Sequence, residues 1–209
     1  MGNRRSVQKA LEHVGAQAEI TSEADRIEAA DGVIVPGVGA FPRAMANLLE
    51  LELAAPLRRV AAQGKPLLGI CLGMQLLFDG SDEFRSTPGL GLIDGTVTPL
   101  RAGALRIPHI GWNDVRWERA TPLSAGLPVP GTAFYHVHSL VARPSRGEDV
   151  IATTEYGERF ATIVARGSVL GVQFHPEKSS ARGLRMLANF AGLCRSWTRS
   201  DQAAPALRA

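Results

Sequence analysis

The chain has 209 residues, a length that suits one domain, with 45% hydrophobic and 21% charged residues, as in an ordinary soluble globular protein. A net charge of +3 with scattered Lys and Arg excludes a nucleic-acid-binding stripe. Two cysteines are too few for a disulfide framework, so a reduced, cytoplasmic setting is expected; no stretch approaches the roughly 18 apolar residues of a membrane helix.

Val7, Ala10, Leu11 and Val14 fall at helical spacing, and Gly15 stops that helix. The opening Met1-Gly2-Asn3-Arg4-Arg5-Ser6 also matches the short N-myristoylation pattern, but the helix accounts for the same residues. Ala18 to Thr21 is expected as a short strand. Gly32-Val33-Ile34-Val35 is a buried-strand run ending at Pro36-Gly37. Residues 43 to 62 read as helix with a break at Pro56, closed by Gly64. Pro66 to Ile70 is a second buried strand, followed by a helical Met74-Gln75-Leu76-Leu77. This alternation predicts an α/β fold with a doubly wound, mostly parallel sheet.

From Gly91 to Gln173 the pattern changes to short β-rich runs between Gly, Pro and charged turns, which predicts an antiparallel extension. A final amphipathic helix carries Leu184, Leu187, Ala188 and Ala191. The domain is expected to span residues 1–197, with a fraying tail over 198–209.

Chemistry concentrates in three places. Gly69-Ile70-Cys71-Leu72-Gly73 lies between a strand and a helix, the nucleophile-elbow pattern with Cys in place of Ser. The turn is so tight that strand and helix backbones nearly touch, so both flanking positions need glycine. A sulfur near a helix N-terminus also gains thiolate character. The plainer reading is a buried core cysteine. Gly171-Val172-Gln173-Phe174-His175-Pro176-Glu177 supplies a base: in extended chain His175 and Glu177 point to one side, so the acid can hold the imidazole. Alone, such a pair is more often a surface pair. Pro36-Gly37-Val38-Gly39 follows a strand and is either a plain turn or a backbone segment that aims N–H groups at an oxyanion. It lacks the further glycine or the Gly-Lys-Ser/Thr ending of a nucleotide loop. The other histidines, His13, His109, His136 and His138, do not show metal-site spacing; no metal and no cofactor are expected.

Taken in order, these blocks resemble the class I (triad) glutamine amidotransferases, flavodoxin-like α/β domains. The nearest resemblance within them is to the glutaminase subunits of imidazole glycerol phosphate synthase. It is carried by Gly2-Asn3, Arg5-Ser6-Val7, Pro36-Gly37-Val38-Gly39-Ala40-Phe41, Pro108-His109-Ile110-Gly111-Trp112-Asn113, Tyr135-His136-Val137-His138-Ser139 and Phe174-His175-Pro176-Glu177-Lys178-Ser179.

That resemblance implies that Cys71 attacks the side-chain amide of glutamine, His175 protonates the departing ammonia and Glu177 orients His175. It implies an oxyanion hole from Leu72 and the Val38–Gly39 segment. Gln75, Glu83 and Ser139 match substrate-holding positions, where a carboxylate such as Glu83 would meet the α-ammonium. Ammonia would pass to a (β/α)₈-barrel cyclase subunit of histidine biosynthesis, in a heterodimer. His109, Trp112, Tyr135, His138 and Lys178 match positions at or near its docking face.

The alternatives are a glutaminase of another class I amidotransferase, which the Pro108–Asn113 and Glu177–Ser179 blocks disfavour, and a catalytically silent docking scaffold. Two departures stand out. Arg4 replaces an apolar residue in the first turn. The family also opens with a strand ending in Asp-Tyr-Gly-Met-Gly-Asn, whose first part is missing here; the expectation is that Met1 is a misassigned start and that an apolar strand precedes it.

Overall fold

The computed structural model describes residues 3–128 and 131–203, with side chains up to residue 197. Met1 and Gly2, which open the lipidation pattern, lie outside the described residues, as do 204–209 of the expected tail.

The first helix, α1 (Arg4–His13), turns Val7 and Ala10 into the core and leaves Arg4 exposed. The charge at position 4 therefore meets solvent, not packing. Ala18 to Thr21, expected as a strand, forms none. The Ala18 carbonyl accepts instead from Gln8 Nε2 at 2.9 Å, so an α1 side chain occupies a group that a strand would give to its neighbour. A six-residue helix, α2 (Ala24–Ala29), follows.

Next come β1 (Val33–Gly37), α3 (Phe41–Glu50), α4 (Ala54–Ala62), β2 (Leu67–Cys71) and α5 (Leu72–Leu76). The expected break between residues 43 and 62 is present, but it falls at Leu51–Leu53, where Glu52 takes φ +55°. Pro56 sits in the first turn of α4, where its missing N–H has no intrahelical partner to lose.

The β-rich half contains β3 (Phe78–Ser81), β4 (Thr87–Pro88), β5 (Ile93–Pro99), β6 (His109–Trp117), β7 (Gly131–His138), β8 (Leu140–Pro144), β9 (Val150–Glu155), β10 (Arg159–Arg166) and β11 (Val169–Val172). The last helix, α6 (Ser180–Ala203), runs past Trp197 into the region expected to fray.

All eleven strands of the described residues join one mixed sheet. Its parallel heart is β1–β2–β11, with β2 in the centre and β1 at the edge. Beyond it lies β10, antiparallel to β11, where the sheet forks. One arm continues as β8–β5–β3–β4 and the other as β9–β6–β7. The register of β10 against β9 slips between Ala161 and Ile163 and again before Val164. Such an irregularity bends a strand and increases its twist, so β10 can serve two diverging partners. The pairings among β5 to β11 are all antiparallel, as expected, while β3 joins β5 in parallel, and β7 curls back towards the parallel heart.

Helices cover both faces of that heart, as a doubly wound sheet requires. On one face Leu67 packs with Ile27, Phe41, Met45, Leu57 and Val60 from α2, α3 and α4. On the other, Leu68 and Ile70 pack with Val7, Met186, Leu187 and Phe190 from α1 and α6. Consecutive residues of β2 thus feed opposite cores, the period of two expected of a strand buried on both sides.

Candidate active site

The site lies beyond the carboxyl ends of β1, β2 and β11, the usual ligand position in an open α/β sheet. Register alone aligns its parts. Gly37 at the end of β1 pairs with Cys71 at the end of β2, so Val38–Gly39 continues directly past the cysteine. On the other flank Val172 pairs with Ile70, which brings the residues after β11 level with Cys71.

Cys71 has φ +54° and ψ −112°, in the left-handed half of backbone space that a side-chain-bearing residue rarely takes. The strain belongs to a strand that turns into a helix within one residue, and it concentrates at functional sites. Glycines make the turn possible. A Cβ on Gly73 would lie 1.7 Å from the Val35 carbonyl oxygen, and one on Gly69 would lie 2.6 Å from the Gly73 oxygen. No side chain of any kind fits there. Cys71 is 6% exposed, and its thiol donates to the Val137 carbonyl at 3.6 Å.

His175 and Glu177 do cooperate, but not through an extended chain. Residues 176–178 form a 3₁₀ turn that swings Glu177 back under the ring, and His175 Nδ1 donates to Glu177 Oε1 at 2.9 Å. The turn is fastened to β7 by two hydrogen bonds and closed on itself by a third. The His175 N–H donates to the Tyr135 carbonyl at 2.9 Å, while Ser179 Oγ donates to the His175 carbonyl at 2.7 Å and accepts from the Tyr135 N–H at 3.0 Å. Asn3 Nδ2 donates to Glu177 Oε1 and lies 3.0 Å from His175 Nδ1. The second oxygen of Glu177 is buried with no partner among the described residues.

Burial disfavours a charged His175, but hydrogen bonds to Cys71 and Glu177 and the charges of both outweigh it, holding the ring at about 9. Because this lies above the ordinary 6.5, His175 stabilises the fold fully below about pH 6.5, and that contribution is lost as pH rises through about 9. Glu177→Gln removes one of the raising influences. The basic limb of the pH–rate profile for glutamine hydrolysis, the activity the resemblance implies, is therefore expected to move to lower pH, by direct titration between pH 6 and 10. An unmoved limb would show that Glu177 does not set the protonation of His175.

The remaining expected residues divide into those at the site and those behind it. Leu72 opens α5, so its N–H belongs to the first-turn donors without an intrahelical acceptor. Val38 is 46% exposed, and Gly39 takes φ +103°, a conformation suited to glycine. Gln75 is buried, and both its N–H groups are engaged, with the Leu140 carbonyl and Gln173 Oε1, each at 3.1 Å. Only its Oε1 can meet a ligand. Glu83 has an occupation the sequence did not reveal: Oε2 accepts from the Phe41 N–H at 2.6 Å and caps α3, whose N-cap Ala40 supplies no side-chain bond. It thereby ties the end of the Val38–Gly39 segment to the loop after β3. Ser139 sits between β7 and β8, half-buried, its carbonyl taken by the Leu100 N–H.

Of the five expected interface residues, Trp112 is 53% exposed, Lys178 is exposed and Tyr135 is half-buried. His109 and His138 are buried, 2% and 6% exposed, behind that surface. His109 stacks with His136 and Tyr156, and His138 meets Phe160 edge-on. The sequence reading also gave no role to Asn3, Gln173 or Val137, though all three touch the Cys71–His175–Glu177 group. All three lay inside quoted motifs, but Val137, acting through its backbone, left no side-chain signal.

Comparison with known proteins follows the same line. A family model described as glutamine amidotransferase class-I matches residues 1–193. A Moorella thermoacetica protein named imidazole glycerol phosphate synthase subunit HisH is 54% identical over 195 residues, covering 93% of this chain and 92% of its own. A Bacillus cereus protein of the same name is 48% identical over 200 residues, covering 96% and 94%. In fold the chain is similar to a glutamine amidotransferase crystal structure, with a TM-score of 0.69, 24% identity and coverage of 91% and 93%.

Proposed function

The chain belongs to the class I glutamine amidotransferases and, among them, to the HisH subunits of imidazole glycerol phosphate synthase, and from this premise we propose how its residues release ammonia. Cys71 Sγ, its proton already passed to His175, attacks the carboxamide carbon of glutamine. The oxyanion that forms is met by the Leu72 N–H and a donor from Val38–Gly39. Collapse breaks the C–N bond, and His175 returns the proton to the departing nitrogen, which leaves as ammonia. His175 then activates a water that adds to the thioester, and glutamate departs as the Cys71 thiol is restored.

Glu177, braced by Asn3, holds the imidazole so that Nδ1 keeps its proton and the other nitrogen faces the sulfur. Gln75 Oε1, Glu83 and Ser139 hold the substrate's amino-acid end. Ammonia passes to a (β/α)₈-barrel cyclase subunit seated on the exposed Trp112 and Lys178, with Tyr135 beside them. The observation that carries this reading is the positive-φ Cys71 between two glycines, level with a buried His175–Glu177 pair.

The reading predicts dependence on the partner. Val38–Gly39 is held by backbone and by the Glu83 cap, not by buried side chains, so a docked, substrate-loaded cyclase can set its N–H groups. Glutamine hydrolysis by the lone chain is expected to be slower than in the loaded complex by about 10² to 10³, the worth of one oxyanion donor. Steady-state glutamate release, with and without the barrel subunit and its ligand, measures the ratio. Equal rates would remove the proposed partner control.

A further inference from the structure

Gln173 is not used by the mechanism above, yet its side chain ends on the reacting sulfur. It follows β11 at the level of Cys71, is fully buried, and places Nε2 3.8 Å from Cys71 Sγ. A carboxamide can face either way, so something must choose which end meets the sulfur. Gln75 does so: its Nε2 donates to Gln173 Oε1 at 3.1 Å, which leaves the N–H end of Gln173 towards Cys71.

Gln75 is itself oriented from further off. Its second N–H goes to the Leu140 carbonyl, which also accepts from His138 Nδ1 at 2.9 Å. A carbonyl only accepts, so His138 carries its proton on Nδ1 and offers Nε2 as an acceptor. His109 Nδ1, 3.0 Å from that nitrogen, must then donate, and His109 Nε2 accepts from Asn113 Nδ2 at 3.2 Å. The Asn113 amide is pinned in turn, donating to the Glu155 carbonyl at 2.9 Å and accepting from the Asp114 N–H at 2.8 Å. Burial lowers the basicity of both rings, that of His138 to about 3, so they stay neutral and the tautomers are single-valued.

We propose that Gln173 is a further catalytic group, whose N–H donates to the Cys71 sulfur and stabilises its developing charge, and that the Gln75–Leu140–His138–His109–Asn113 chain holds it in that orientation. The inference rests on Cys71 being the nucleophile. An N–H donor to a thiolate is a charge-assisted bond, stronger than its neutral counterpart. The chain ends on β6 one residue from the exposed Trp112, so the same strand that presents an aromatic to solvent anchors the donor on the sulfur.

The test uses the full chain bound to its barrel subunit. Gln173→Met keeps the length of the side chain and removes its donors. Alkylation of Cys71 by iodoacetamide, followed by mass spectrometry from pH 6 to 10, is expected to slow by about tenfold at pH 7, and its pH profile to move upward. A superimposable profile would overturn the proposal. Should that variant not fold, ¹⁵N-histidine spectra of the unaltered protein decide. His109 and His138 are both expected as Nδ1–H tautomers, and an Nε2–H signal from His138 would break the chain of donors. If glutaminase activity of the unaltered protein survives complete alkylation of Cys71, the nucleophile assignment falls and this proposal with it. A displaced profile is not expected from a merely space-filling Gln173.

Discussion

Cys71→Ala is expected to abolish glutamine hydrolysis while the complex still makes product from added ammonia. The thiol sits on a turn that no ordinary residue would choose, at φ +54°, between glycines whose positions are closed to side chains. Such a turn serves to present one side chain, and removing it takes away the attacking atom itself. Loss of a nucleophile that acts as a unit with its base lowers turnover by about 10⁶ in a comparable hydrolase. Cys71→Ser is expected to fail nearly as badly, because a hydroxyl beside His175 ionises far less readily than a thiol. The ammonia-dependent activity is the control, since it needs the docked fold but not the sulfur. Steady glutamate release by Cys71→Ala would end the assignment.

Gly73→Ala is expected to unfold the parallel heart of the sheet or to force α5 away from β1. The added methyl would lie 1.7 Å from the Val35 carbonyl oxygen and 2.7 Å from its carbon, both backbone atoms of a strand. Backbone cannot rotate aside as a side-chain tip can. Overpacking typically costs about 1–3 kcal/mol and more when nothing yields, against a total stability of about 5–15 kcal/mol. A fall in Tm of about 5–10 °C or more is therefore expected by calorimetry, with glutaminase activity lost. Gly147→Ala is the control, for a Cβ there meets nothing within 4 Å and its φ is not positive. Equal melting temperatures for the two variants would mean that strand and helix do not approach as closely as described.

Local chemistry explains which features were legible in advance. Glycine at positions 69 and 73 is a local requirement of a strand that turns into a helix, so the elbow could be read without any knowledge of the rest. Apolar runs such as Leu67-Leu68-Gly69-Ile70 could also be read, because a strand buried on both faces has no polar positions. The Ala18–Thr21 expectation failed for the complementary reason: a strand exists only where a neighbour completes its ladder, and here an α1 side chain takes the carbonyl. The helix break at Leu51–Leu53 was misplaced because proline ends a helix only in its interior, and Pro56 lies in a first turn.

Sequence by itself determined the alternation of strand and helix, the elbow around Cys71, and the pairing of His175 with Glu177, since each depends on residues a few positions apart. Only the tertiary structure decided what surrounds the sulfur. The fork at β10 carries β7 back over the site, and the Val137 carbonyl, a backbone atom 66 residues away in the chain, accepts a hydrogen bond from the thiol. It also decided that His109 and His138 are buried members of a polar chain, and that Glu83 caps α3. Hydrogen bonds of this kind join atoms that sequence separation does not relate. They exist because the strand register brings donors and acceptors within 3 Å or so of each other in a dry interior, where an unpaired polar group would cost about 1–3 kcal/mol.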